Sequence, residues 1–579
     1  MRRAGWISGA VLATLAACTF ELGGEGGVAV LDASVTTPGT ESQDTASPRE
    51  APAVDAGGDG GAEELIVDDF DDPALVDDTK SVGYVVADGA LAMKSSIERG
   101  TGADGACVVT GTIDLTATTC VGRPGPDVVI YAANQPIAAQ ADTISSGGMT
   151  AGLAAGDEIV ILDMQGPTAG RAEFRRVASV TSVGLSTTTP LSFPHGAADR
   201  PAVQRVPNYA SFAVAGGGRV VAPAWDGTRG GALVVRVRDA ATIAGALDAS
   251  GAGYRGGARP GNNTSADGFV GESALPGFGS LRTAAPNGGG GGAGRGDPCG
   301  GRGVGAGGGG HGTVGGTGGD VACGGQGGAV FGGADRLSLG GGGGSGGNDN
   351  TLGNNPVGGA GGRGGGAIFL EADTVTFTGL ALANGTAGQG DAPPCPGTSS
   401  STAMCWDFSG PGGGGAGGAI WLRGTTVHAG SALVRASGGS AGIGVGNNGG
   451  VGGAGRVTIA AETLTGTTVP TATIGGVYPA ASTVVSKDLL LGRKAVQALV
   501  SLAVDVAHRP SATKVKVSVS TDGTSWYSAM PPNADTLEDG TTTVPLDVPV
   551  GASLFYQLRF EGDQHATARV ERVRITVRR

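Results

Sequence analysis

Runs in which glycine fills most positions, at 288–294, 300–319, 340–347, 358–366 and 412–418, limit what this chain can fold into more than any other feature. Glycine has no Cβ and loses more conformational freedom on ordering than any other residue. Two outcomes are open on the sequence. Either the runs are flexible loops, or they lie extended in polyproline-II-like strands whose backbones approach closely because nothing projects between them, as at the crowded axis of collagen. With 116 glycines in 579 residues, 4% aromatic and 15% charged residues, one ordinary apolar core cannot account for the chain, because average glycine usage is about 7%.

A repeat is embedded among these runs. Gly231-Ala232-Leu233-Val234-Val235 is followed by Thr242-Ile243, Gly245 and Ala249-Ser250-Gly251. The same order returns from Gly366-Ala367-Ile368-Phe369-Leu370 to Asn384-Gly385, again from Gly418-Ala419-Ile420-Trp421-Leu422 to Ser437-Gly438, and in degraded form from Gly455. Each copy predicts two short strands and a glycine turn, one coil of a parallel β-helix whose apolar face is buried only by stacking on its neighbours. The fold class expected is therefore all-β, with a glycine-rich β-helix-like solenoid over 216–476. Ahead of it, 63–215 reads as a β-rich domain of short β-branched runs such as Ile159-Val160-Ile161-Leu162 and Val177-Ala178-Ser179-Val180. Behind it, 480–579 reads as an antiparallel β-sandwich. Val515, Val517 and Val519 alternate with polar residues, and Thr521-Asp522-Gly523-Thr524 marks a hairpin turn. Ile66 to Phe70 and Gly89 to Met93 look like first strands of a similar sandwich, and are candidates to pair with the C-terminal one.

The N-terminus reads as an address. Arg2 and Arg3 precede a short apolar stretch, Ala10 to Ala17, too short to span a bilayer. Leu15-Ala16-Ala17-Cys18 resembles the lipobox of bacterial lipoproteins, which implies a signal peptide over 1–18, acylation of Cys18, and membrane attachment through the N-terminal lipid. Thr19 after the cysteine favours the outer membrane or cell surface by resemblance to the enterobacterial sorting rule. Residues 19–62, rich in Gly, Ala, Ser, Thr, Pro and acids, predict a disordered tether. Setting Cys18 aside, Cys107, Cys120, Cys299, Cys323, Cys395 and Cys405 form three sequence-local pairs. Local disulfides are the simple reading in an exported chain, although fifteen pairings are open to six cysteines. The net charge of −13 argues against nucleic acid as a partner.

Gly152 to Glu158, Val203 to Tyr209, Ala224-Trp225-Asp226-Gly227-Thr228 and Gly253-Tyr254-Arg255-Gly256-Gly257 occur in an order that resembles a group of large, glycine-rich, exported bacterial surface proteins. The resemblance, over about 102–460, implies location and architecture and brings no catalytic residues. Three sets of candidate site residues remain. Asp522 and Trp526 lie in a hairpin similar to those of discoidin-like and other carbohydrate-binding sandwiches, where the turn is mainly structural, and are candidate ligand contacts. Asp68, Asp69, Asp71 and Asp72, in an acidic stretch that continues to Asp77 and Asp78, are candidate Ca²⁺ ligands, with a solvated acidic edge as the alternative. Glu371, Asp373 and Arg423 are the coil residues that a polysaccharide lyase or hydrolase would use. Gly343-Gly344-Ser345-Gly346-Gly347 matches the nucleophile-elbow spacing but lacks the flanking strand and helix. Neither a P-loop lysine nor a zinc-protease motif is present. The reading is an adhesive, structural or glycan-binding envelope protein, with glycans as partners, and no enzyme; the alternative is a β-helix polysaccharide-degrading enzyme.

Overall fold

The computed structural model describes residues 62–579 apart from 72–74, 88, 134, 146–149, 262–265, 276–288, 297–302, 320–322, 349–356, 391–408, 445–446 and 494. The signal segment, Cys18 and the tether up to residue 61 lie outside the described residues, as do Asp72, Cys299, Cys395 and Cys405.

The described chain is built of strands, and fourteen of them form one parallel solenoid sheet. The repeat copies stack in register: Leu233, Ile368, Ile420 and Val457 lie one above the next, as do Val235, Leu370, Leu422 and Ile459. All eight are buried. The coils from Ala232 and Ala367 carry three strands rather than the expected two, whereas the next two coils each run as one long strand, Ala419–Arg435 and Arg456–Val469. Ala232–Val237 and Ala240–Ile243 are followed by Ala246–Asp248, and Ala367–Glu371 and Thr374–Phe377 by Leu380–Leu382. These third strands are three residues long, which is too short to show a period. The solenoid also starts earlier than the repeat does. Ser211–Val214 pairs parallel with both Ala106–Val109 and Ala240–Ile243, so the expected boundary at 215/216 falls inside a coil. At this end Cys107, on the strand Ala106–Val109, forms a disulfide with Cys120, with Cα atoms 5.4 Å apart. Cys323 is also disulfide-bonded.

The described glycine runs are ordered. In the strand from Gly340 to Asn348, successive backbone N–H groups point to three different neighbours in rotation. Gly340, Gly343 and Gly346 donate to Gly365, Gly362 and Gly359; Gly341, Gly344 and Gly347 donate to Gly310, Gly307 and Val304; Gly342, Ser345 and Asn348 donate to Glu272, Phe269 and Ala266. A period of three residues per turn is that of polyproline II. The carbonyls of the same strand accept from Tyr254 and Gly257, from Ala416 and Gly413, and from Gly291 and Gly294. The strand is thereby held on six sides, and its buried backbone groups find the partners that burial demands. Glycine is required sterically: a Cβ on Gly343 or Gly344 would lie 2.1 Å from a carbonyl oxygen of Gly413 or Gly292.

Two antiparallel units flank the solenoid. Strands between Ile130 and Val206 form a six-stranded sheet that packs Phe174 against Phe369 of a coil, with ring centroids 5.0 Å apart. The terminal sandwich draws on both ends of the described chain. Glu63–Asp68 pairs along Arg569–Arg578 from Glu63↔Arg578 to Asp68↔Val573, and Leu91 pairs with Val570. Residues 63–93 therefore belong with the C-terminal strands. The facing sheet contains Ala481–Val485, Phe555–Glu561 and Lys514–Ser520. Val515, Val517 and Val519 point into the shared core with Leu502, Val504, Leu558 and Phe560. Burying each such side chain contributes about 1.5–3 kcal/mol.

Candidate functional site

The coil residues expected of an enzyme are brought near one another, with Glu371 closed off and Asp373 partly exposed. Register places Glu371 between Arg236 and Arg423 on the outer face of the first ladder. Glu371 is fully buried, 3.3 Å from Arg236 and 3.6 Å from Arg423, and accepts the Glu98 backbone N–H at 2.9 Å. Burial raises its pKa, and the two guanidinium groups oppose that rise. Arg236 stacks over Phe174 at 4.5 Å and Arg423 over Trp421 at 5.6 Å. The passing segment around Ser96 covers Arg423, whose Nη2 donates to the Ser96 carbonyl at 2.6 Å. Asp373 pairs with Arg99 at 3.1 Å and accepts the Thr425 hydroxyl. Glu371, Arg236 and Arg423 form one ion network, and Asp373 and Arg99 form a separate pair.

The acidic stretch also separates. Asp68 turns inward, accepting the Tyr556 hydroxyl at 2.5 Å and the Phe70 N–H, while Asp77 is taken by Thr79 and Lys80 and Asp78 by Tyr84. Among the described residues no group of three or more His, Cys, Asp or Glu is placed to hold a metal ion, so the Ca²⁺ expectation finds no cage there. Asp522 Oδ1 accepts the N–H groups of Ser525 and Thr524 at 2.6 and 2.7 Å and the Ser520 hydroxyl at 3.0 Å. The Ser525 and Thr524 backbone donors hold its carboxyl well below the usual range. Its oxygen serves the turn, and Trp526 beside it is half-buried.

A cleft of about 630 Å³ opens instead at the seam between the sandwich and the end of the solenoid. Val85, Ala92 and Met93 help line it. One wall carries His508 and Arg569, directly opposite each other in the strand register, with His565 on the loop before Arg569. That loop is pinned by the Met93 N–H donating to Thr567 Oγ1 at 2.9 Å. The other wall carries Glu462 and Tyr478 from the solenoid's last turn, with the Tyr478 hydroxyl donating to Glu462 at 2.6 Å. Burial and this carboxylate push the Tyr478 phenol upward. Val477 and Tyr478 donate their backbone N–H groups to the Gln564 carbonyl, which ties the two walls together. Arg99 completes the rim. Sequence reasoning missed the cleft, because its members span the chain from Val85 to Arg569.

No protein-family model and no curated protein matches the sequence. Among solved structures the chain is similar to the tailspike protein gp49 from Pseudomonas phage LKA1, at 13% identity, covering 82% of this chain and 88% of that one, with a TM-score of 0.15. The Pseudomonas phage phi297 tailspike gp61 gives 12% identity, coverage of 82% and 86%, and a TM-score of 0.14. The gp54 tailspike of Acinetobacter baumannii bacteriophage AP22, solved with A. baumannii capsular saccharide, gives 12% identity, coverage of 82% and 89%, and a TM-score of 0.14. No site is transferred from them to this chain.

Proposed function

We propose that the chain is a lipid-anchored envelope protein, of the glycine-rich exported kind, that binds glycans at the seam cleft without cleaving them. The observation that carries this reading is the convergence of Arg569, His508 and His565 on one wall with Tyr478 and Glu462 on the other, in an open cleft. Polar donors and acceptors beside a ring suit a hydroxyl-rich ligand. Hydrolysis of a glycosidic bond ordinarily needs two carboxyl groups flanking it. Glu462 is the one carboxylate among the described lining residues, and it already accepts a hydrogen bond. The anchor rests on Leu15-Ala16-Ala17-Cys18 alone.

The test is a polysaccharide-binding screen with the full chain purified in detergent, with chromatography of the recovered glycan. Retention of polymer at unchanged length is expected, and Cys18→Ser should release the protein from the membrane fraction. Shortened polymer would overturn the non-catalytic reading, and no retention of any polymer would overturn glycan binding itself.

A further inference from the structure

We infer that the cleft takes an acidic saccharide, a uronate-bearing chain whose carboxylate rests on the Arg569 wall while neutral ring hydroxyls meet Glu462 and Tyr478. This rests on the glycan-binding reading and sharpens it to a substrate class.

Charge is unevenly spread around the cleft. Farther along the strand that carries Arg569, Arg574 faces Asp505 at 2.7 Å and Arg578 faces Glu63 at 3.6 Å. Arg99 across the rim has Asp373. Arg569 has no such carboxylate among the described residues, and its cross-strand neighbour is His508, a second nitrogen donor, with His565 nearby. An arginine left facing a cleft, flanked by imidazoles, is a forked donor that matches a carboxylate. The opposite wall has the reverse chemistry. Tyr478 occupies one oxygen of Glu462, and the other oxygen has no partner among the described residues, which makes that wall an acceptor of sugar hydroxyls and a repeller of anions. The two walls together orient a ligand that carries both kinds of group. The formal charge of −13 opposes polyanions in general, so the attraction for an acidic saccharide has to come from local contacts at the Arg569 wall.

The experiment compares polygalacturonate with its fully methyl-esterified form, which keeps the backbone and removes the charge, using the full chain in detergent by biolayer interferometry. The expected result is binding of the acid and at least about tenfold weaker binding of the ester. Arg569→Ala should weaken acid binding by about tenfold, the order expected for one charge-assisted hydrogen bond. Arg569 is exposed, so this variant should melt with the parent. Glu462→Gln, which removes the repelling charge and keeps an amide oxygen as acceptor, serves as a second variant and should strengthen acid binding. Equal binding of acid and ester would overturn the inference and leave glycan binding standing. A loss with Glu462→Gln as large as that with Arg569→Ala would overturn the assignment of the walls. Binding of neither polymer, with other glycans bound, would also overturn the inference, whereas silence toward every glycan would remove the function on which it rests.

Discussion

At the scale of single residues, the decisive question is how each buried polar group is satisfied. His311 is fully buried at the end of a glycine strand, with Nδ1 2.9 Å from the Gly417 carbonyl and Nε2 2.7 Å from the Ser338 hydroxyl. One neutral tautomer meets both: Nδ1–H donates to the carbonyl and Nε2 accepts from the serine. Burial lowers the pKa from 6.5 to about 4. The folded state then binds fewer protons than the unfolded one between these values, so its stability is complete above about pH 6.5 and declines as pH falls toward 4, by about 3 kcal/mol. Urea titrations from pH 7.5 to 4.5 should show that decline, and His311→Gln should remove most of the His311 share; an unchanged slope in the variant would rule out this origin. Asp68 shows why residue roles were only partly legible. In the sequence it belongs to an acidic run, but alternate strand residues face opposite sides, and that periodicity sends it into the core toward Tyr556.

Among the elements, the glycine strands depart furthest from ordinary globular structure. The strand from Gly340 to Asn348 has its donors shared among three neighbours in rotation, so a single methyl group affects a whole contact line. Gly344→Ala, whose Cβ would meet the Gly292 oxygen at 2.1 Å, should destabilise by about 3 kcal/mol or more, beyond the usual range of overpacking if the strand cannot shift. Gly551→Ala meets nothing within 4 Å and should change stability by no more than about 0.5 kcal/mol. Paired thermal melts check this, and equal effects would argue against close packing of the bundle. An opening glycine followed by an apolar run, as in Gly231 to Val235, made the later coils legible. The coil built from Asn208–Tyr209, Ser211–Val214 and Arg219–Val221 lacks that opening glycine signature and was hidden. The order of the glycine runs was equally open on the sequence, since composition alone does not say which backbone donors meet which acceptors.

At the scale of the whole molecule, pairing of the two ends of the described chain creates the seam where the cleft lies. No local pattern announces this, because Arg99 and Arg569 become neighbours of one cavity only after Leu91 has paired with Val570. The same pairing has a mechanical consequence. The chain enters the sandwich at Glu63, beside Arg578, and runs antiparallel to the last strand as far as Val573, whereas Arg569 lies at the far end of that strand. The two ends are about 30 Å apart at the usual rise per residue. Tension between an N-terminal tether and sugar held at Arg569 would therefore run along the strands and load the bonds of six residue pairs together, instead of peeling them one at a time. Force spectroscopy with the N-terminus on the surface and polygalacturonate on the tip should show release of the sugar with no earlier lengthening step from strand Glu63–Asp68. An extension step before release would mean that the strand peels. Under the proposed anchoring and sugar binding, shear along its axis would make the short strand Glu63–Asp68 the part that resists flow.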